Sequence, residues 1–326
     1  MSSLMFFSKL SGGLAITASS FTNILGTSGS VLSIADILSS KTWITIYNTV
    51  FDSNVAYDGF ANLLIVKNSN PQFARMLSCP HIEVVNSSFQ NTYGCPGSYG
   101  NVAFLCYWDS SPPLSTTKLS SYDLSLSNIT DYTGPNPNNN IDIYDFFAEK
   151  SEEYAYIKIK NSLFINNQLA LSNCLAVVGS YFTVLEGNVF QDSGGTTQDI
   201  ACLRLRSSSY FWNRYGSSHF YCNYGFYGQA TAVYFDRFVK LKFRKNIFND
   251  NWGPWDGSTA LGSSLTIKNR LQIADTLEFK DDVFKNHSGV PTSIYVNINV
   301  GQPNDRRYQA PLITISDDLT GSSFVQ

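Results

Sequence analysis

The spacing in Ile44-Thr-Ile46-Tyr-Asn48-Thr-Val-Phe51 constrains this chain most, because apolar, apolar, Asn and Phe return in that order along its length. Alternate apolar residues define one face of a strand, and a Phe after the Asn returns to that face once the chain has bent. Successive copies are Leu14/Ile16/Ala18/Phe21, Ile44/Ile46/Asn48/Phe51, Ile82/Val84/Asn86/Phe89 and Leu124/Leu126/Asn128, the last without its Phe. They continue with Ile157/Ile159/Asn161/Phe164, a looser Phe182/Val184 before Gly187 and Phe190, and a degenerate copy within 209–220. The last two are Leu241/Phe243/Lys245/Phe248 and Leu277/Phe279/Asp281/Phe284. A second row of short apolar strands alternates with these, starting near Val31, Leu63, Val102, Asp142, Cys174, Ile200, Thr231, Ser264 and Ser293. The repeat is about 33 residues, a solenoid length.

One such repeat cannot bury its own apolar face, but stacked repeats bury a continuous core. The spacing therefore predicts an all-β chain, a parallel β-helix of about nine coils. At about 4.8 Å per coil it makes a rod about 43 Å long. Asn tolerates left-handed backbone, and its amide both donates and accepts, so Asn residues one coil apart can bond in a row. Asn48, Asn86, Asn128 and Asn161 are the expected buried ladder, interrupted by Ala18, Gly187, Lys245 and Asp281.

This I-x-I-x-N-x-x-F succession resembles the right-handed parallel β-helix of the pectin-lyase-like superfamily. There, the turn after the second strand carries stacked Asn, and an inward aromatic opens the third. The F-x-x-N form, in Phe51 to Asn54, Phe164 to Asn167 and Phe248 to Asn251, is also similar to repeats of polymorphic outer membrane proteins and protist surface proteins. The chain departs from the latter in having one Gly-Gly-Leu-Ala-Ile, Gly12 to Ile16, where theirs recurs. The likeness covers about residues 12–300 and implies a fold more than a function. The whole chain, 1–326, is read as one β-helix domain, with an irregular C-terminal segment at 301–326.

Charge narrows the function classes. A formal net charge of −3 and the lack of a dense Lys/Arg run argue against a nucleic-acid partner or a membrane-surface helix. No stretch is long and apolar enough to read as a membrane span. The first residues, Met1 to Lys9, hold too short an apolar run for a signal-peptide core. The expectation is a piece of a longer chain or one whose export signal was removed, with a cytosolic protein as the alternative. Six cysteines show no C-x-x-C and no His at zinc spacing, so neither a metal nor another cofactor is expected.

Candidate chemistry lies in the irregular parts. Pro112-Pro113 and the run from Gly134 to Asn140 make the longest turn excursions, and the strands they flank carry Asp109, Asp142 and Asp145. Paired carboxylates there would suit acid/base chemistry on a glycan. The competing reading, and the favoured one, makes them solvated turn formers. The aromatic run from Tyr210 to Tyr227 reads as core, and Trp252 and Trp255 as the exposed pair available for stacking on sugars. Of the N-x-Ser/Thr sequons at Asn86, Asn128 and Asn286, only Asn286 is expected to be free for glycosylation, because the other two fall on the ladder.

Without a readable cap at either end, the chain either continues as a longer rod or pairs with itself head to tail. The expected function is a non-enzymatic structural or adhesive rod, extracellular or on the cell surface, whose partners are further copies, surface glycans or proteins. The alternatives are a polysaccharide lyase or glycoside hydrolase, and a carbohydrate-binding module without turnover.

Overall fold

The computed structural model describes residues 3–26, 29–35, 37, 42–66, 81–105, 156–169, 174–178, 182–195, 203–206, 212–216, 219–221, 224–225, 233–236, 240–249, 251, 265–269, 276–285, 294–298, 312–316 and 324–325. They form strands and turns and contain no helix. The strands lie in three sheets, of nine, eight and fourteen strands, with parallel pairing throughout. Each of the first eight passes contributes a strand of up to five residues to the nine-stranded sheet and a three-residue strand to the eight-stranded sheet. It then enters the fourteen-stranded sheet. Parallel strands need long connections, and here the other two sheets supply them.

The nine-stranded sheet runs Leu14–Thr17, Trp43–Tyr47, His81–Val85, Tyr156–Lys160, Phe182–Glu186, Trp212–Gly216, Lys240–Arg244, Thr276–Lys280 and Leu312–Ser316. Eight of these strands are copies expected from the sequence, and Leu312–Ser316 is the ninth. Ile82 pairs directly with Ile157, and Val102 with Leu175, while Leu124 to Asn128 lies outside the described residues. Leu312–Ser316 pairs with Thr276–Lys280 and Phe324–Val325 with Ile294–Ile298, so regular pairing reaches into the segment expected to be irregular. At the other end it begins before residue 12, with Met5–Phe7 on Leu32–Ile34.

The eight-stranded sheet carries a single register of phenylalanines. Phe21, Phe51, Phe89, Phe164, Phe190, Phe220, Phe248 and Phe284 follow one another strand by strand. Rings stack with centroids 4.6 Å apart for Phe51 and Phe89, 5.0 Å for Phe89 and Phe164, and 4.7 Å for Phe164 and Phe190. Phe248 and Phe284 stack at 4.5 Å. Each buried Phe contributes about 1.5–3 kcal/mol from burial, and each pair about 0.5–1.5 kcal/mol more. Across the core, Ile44, Ile46, Ile82, Val84, Ile157 and Ile159 face this row and are buried. The alternation read from the sequence is thus the alternation between core and outer face.

Two left-handed corners per pass let the chain turn between sheets. The first follows the longer strand, with positive φ at Ala18, Asn48, Asn86, Asn161, Gly187, Lys245 and Asp281. These are the described members of the row expected to form the ladder, its interruptions included. The second follows the Phe strand, with positive φ at Asn23, Ser53, Asn91, Asn166 and Asp192. Asn and Gly adopt this region at little cost because a short polar side chain, or none, relieves the Cβ clash.

Candidate functional site

The polar residues of the corners come first, because they looked most available for chemistry. Asn48, Asn86 and Asn161 are exposed, so the expected buried ladder is corrected. Left-handed geometry turns the side chain of the corner residue outward and that of the next residue inward. The buried residues are therefore Thr49, Ser87, Ser162, Asn188, Asn246 and Asp282. They form a relay between passes. The Thr49 N–H donates to Ser87 Oγ at 3.2 Å, the Ser87 N–H to Ser162 Oγ at 3.3 Å, and the Ser162 N–H to Asn188 Oδ1 at 3.0 Å. Each hydroxyl then donates to the carbonyl two residues back: Thr49 to Tyr47, Ser87 to Val85 and Ser162 to Lys160, at 2.9, 3.0 and 2.9 Å. Further along, Asp282 Oδ1 accepts from Asn246 twice, from its backbone at 2.7 Å and its amide at 2.6 Å.

The second corner holds the amide-to-amide chain that the sequence reading placed at the first. Asn54 donates to Asn62 at 2.6 Å, Asn62 donates to Asn101, and Asn101 donates to Asn167 at 3.0 Å. All four are fully buried. Asn54 also accepts from the Ile24 N–H at 2.8 Å, and Asn167 donates to the Phe89 carbonyl at 3.1 Å. A second, outer row runs from Asn166 to Asn91 and on to Asp52, each step 2.9 Å. The Asn91 amide holds the Asp52 carboxyl below its ordinary value. The F-x-x-N spacing was the sequence signal for this chain. Nothing in it announced Asn62 and Asn101, which lie within strands of the fourteen-stranded sheet, Val55–Val66 and Tyr93–Leu105.

Asp109, Asp142 and Asp145 lie outside the described residues, as do Asn128, Trp252, Trp255 and Asn286. The exposure of Asn86 removes the reason for excluding its sequon. Among the described residues no group of His, Cys, Asp and Glu is placed to hold a metal ion. Neither Cys95 nor Cys174 is in a disulfide, and Cys174 is buried. No described helix is long and apolar enough to cross a membrane.

What the described residues do offer is the outer face of the nine-stranded sheet. Trp43 is 48% exposed there, on the same strand face as the exposed Tyr47. The Trp43 indole fills the space that a Cβ on Gly13 would occupy, so the glycine lets the ring rest against the neighbouring strand. Trp43 pairs in register with His81, whose imidazole is pushed down by burial, an effect the Glu83 carboxylate partly offsets. Beyond it, Lys158 Nζ reaches Glu83 at 3.1 Å and Lys160 Nζ reaches Glu186 at 2.6 Å, joining adjacent passes. Surface pairs of this kind contribute about 0–1 kcal/mol each. The face thus carries aromatic and charged groups at fixed intervals on a rigid support.

No family model matches the chain, and no match was found among curated proteins or solved structures.

Proposed function

We propose that the stacked passes are coils of a right-handed parallel β-helix, related in plan to the pectin-lyase-like superfamily, and that the chain is a non-enzymatic structural or adhesive rod. It works outside the cell or on the cell surface and lengthens by head-to-tail contact. The observation that carries the reading is the use made of buried polarity. Thr49, Ser87, Ser162, Asn54, Asn62, Asn101 and Asn167 spend their donors and acceptors on joining one part of the stack to the next. A chain that invests its interior in continuity gains length and stiffness.

End-to-end contact is supported by the first pass. Among the described residues, Leu14–Thr17 and Ser20–Thr22 are the outermost strands of their sheets, each paired on one side. Leu4, Phe6 and Leu25 are exposed there, at 56, 49 and 58%. An open strand edge beside apolar side chains is a template for another chain of the same kind.

Sedimentation of the isolated chain over a wide concentration range tests assembly. Growth into rods with rising concentration is expected, and a strict monomer at the highest concentration would sink the head-to-tail part. Catalysis is tested by incubating the wild type with polysaccharides and repeating with Asp109→Asn and Asp145→Asn. Cleavage lost in those variants would replace the rod with a glycan lyase or hydrolase.

A further inference from the structure

The sequon Asn86-Ser87-Ser88 lies on the first corner of its pass, and the corner divides its side chains between two sides. Asn86, with φ 51°, is exposed. Ser87 is buried and belongs to the relay, accepting the Thr49 N–H and donating to the Val85 carbonyl. Ser88 opens the Phe strand, where it alternates with the buried Phe89 and is itself half-buried. The fold uses the middle residue for stacking and turns the amide and the second hydroxyl outward together.

The stack makes no use of either outward group. Asn86 bonds to it through its backbone N–H, which donates to the Lys160 carbonyl at 3.0 Å, and Ser88 through its own N–H, which donates to the Thr49 carbonyl at 2.9 Å. Among the described residues, the Asn86 amide and the Ser88 hydroxyl have no hydrogen-bond partner.

Ser88 is also an exception in its column. Register places it between Val50 and Leu163, and the column runs on through Val189 to Ile247 and Val283. An aliphatic side chain is what this outer position holds in those passes, with Val50, Leu163 and Val283 each 37% exposed. The first pass has a serine there as well, but Ser20 shares a hydrogen bond with Thr22 at 3.3 Å, and its corner residue is Ala18. Asn48 and Asn161 are exposed corner asparagines like Asn86, yet Val50 and Leu163 follow them two residues on. Among the described passes, an outward amide and an outward, unbonded hydroxyl coincide in this one.

We infer that Asn86 is a site of N-linked glycosylation and that Ser88 is the hydroxyl through which the glycosyltransferase recognises it. The donor class is an oligosaccharide on a lipid pyrophosphate. Asn86 Nδ2 bonds to the anomeric carbon, the bond from that carbon to the pyrophosphate oxygen breaks, and the amide gives up one proton, with no change of oxidation state. A glycan is bulky and hydrated, so it needs an exposed attachment point with open space around it. The corner supplies both, because Asn48 and Asn161, the corner residues of the adjacent passes, are short and exposed. The left-handed geometry that buries Ser87 also directs the Asn86 amide away from the stack, so the modification costs the fold no hydrogen bond.

The inference rests on the extracellular part of the rod reading, because such transfer occurs on the export route. Its test expresses the full chain behind a cleavable secretion signal in a eukaryotic host and pools retained with exported protein, so that the readout does not depend on folding. The peptide carrying Asn86 is then mapped by mass spectrometry before and after peptide N-glycosidase. The expected result is a peptide bearing N-acetylhexosamine and hexose, which the glycosidase converts to one with an aspartate at the modified position. Asn86→Gln and Ser88→Val should each abolish occupancy, and Ser88→Thr should retain or raise it. In a bacterial host without the transferase, Ser88→Val should unfold at the urea midpoint of wild type, because the column accepts Val at Val50 and Val283.

An unmodified Asn86 peptide from wild type would overturn the inference, as would occupancy that persists in Ser88→Val. A marked loss of stability in unglycosylated Ser88→Val would return the serine to the stack and overturn its assignment. The rod reading fails separately: a glycosylated chain that sediments as a strict monomer removes head-to-tail growth and leaves the site in place, and an unmodified chain that still lengthens does the reverse.

Discussion

The two corners of each pass share a backbone conformation and differ in what they do with the residue that follows. At the first, small hydroxyls at Ser87 and Ser162 accept a backbone N–H from the preceding pass and return a bond to their own strand. At the second, the amides of Asn54 and Asn167 join a chain that crosses the interior through Asn62 and Asn101. A hydroxyl has one proton to give and settles the corner locally, whereas an amide has two and can also reach a neighbour. The first corner is therefore a row of similar, separable joints. The second is a connected network, in which the loss of one member orphans two others.

That difference sets the scale of damage expected from substitution. Asn101→Leu should be the most harmful, because it strips Asn62 of an acceptor and Asn167 of a donor in a fully buried setting. At about 1–3 kcal/mol per orphaned group, the expected loss is about 4 kcal/mol, read from the urea midpoint. A loss below that of a single hydroxyl deletion would break the picture of a connected network. Ser162→Ala removes one acceptor and one donor at the first corner and should cost about 1–2 kcal/mol in the same assay.

Smaller effects sharpen the separation between the left-handed residue and its buried successor. Asn86, with φ 51°, has an exposed side chain, so only its backbone preference is at stake. Asn86→Ala should cost about 1 kcal/mol and Asn86→Gly a few tenths at most. Equal losses in both would mean that the amide carries more than conformation.

Asp52 provides the smallest signal. The Asn91 amide lowers its folded pKa below the ordinary 3.8, so its contribution is present above that value and is lost as pH falls through the lowered one. The carboxylate is well hydrated, which keeps the effect small. Thermal melts of wild type and Asp52→Asn should diverge slightly at neutral pH and converge in acid, and a gap that widens in acid would reverse the assignment.

Much of this was legible in sequence. The corner row from Ala18 through Asp281 was marked by spacing alone, and every described member has positive φ. The row of Phe residues was equally clear, because a large apolar residue at a constant offset from the turn has one way to be buried. The strand at Leu312–Ser316 escaped notice because no Phe follows at the right distance, yet its alternation suffices to pair.

By itself, the sequence determined period, strand type and the places where the chain turns left-handed, because these depend on neighbours a few residues apart. Only the tertiary structure decided which polar side chains are buried, since a left-handed corner directs its own side chain to solvent and the next one to the core. It alone chained Asn62 and Asn101 to Asn54 and Asn167, from positions that share no motif.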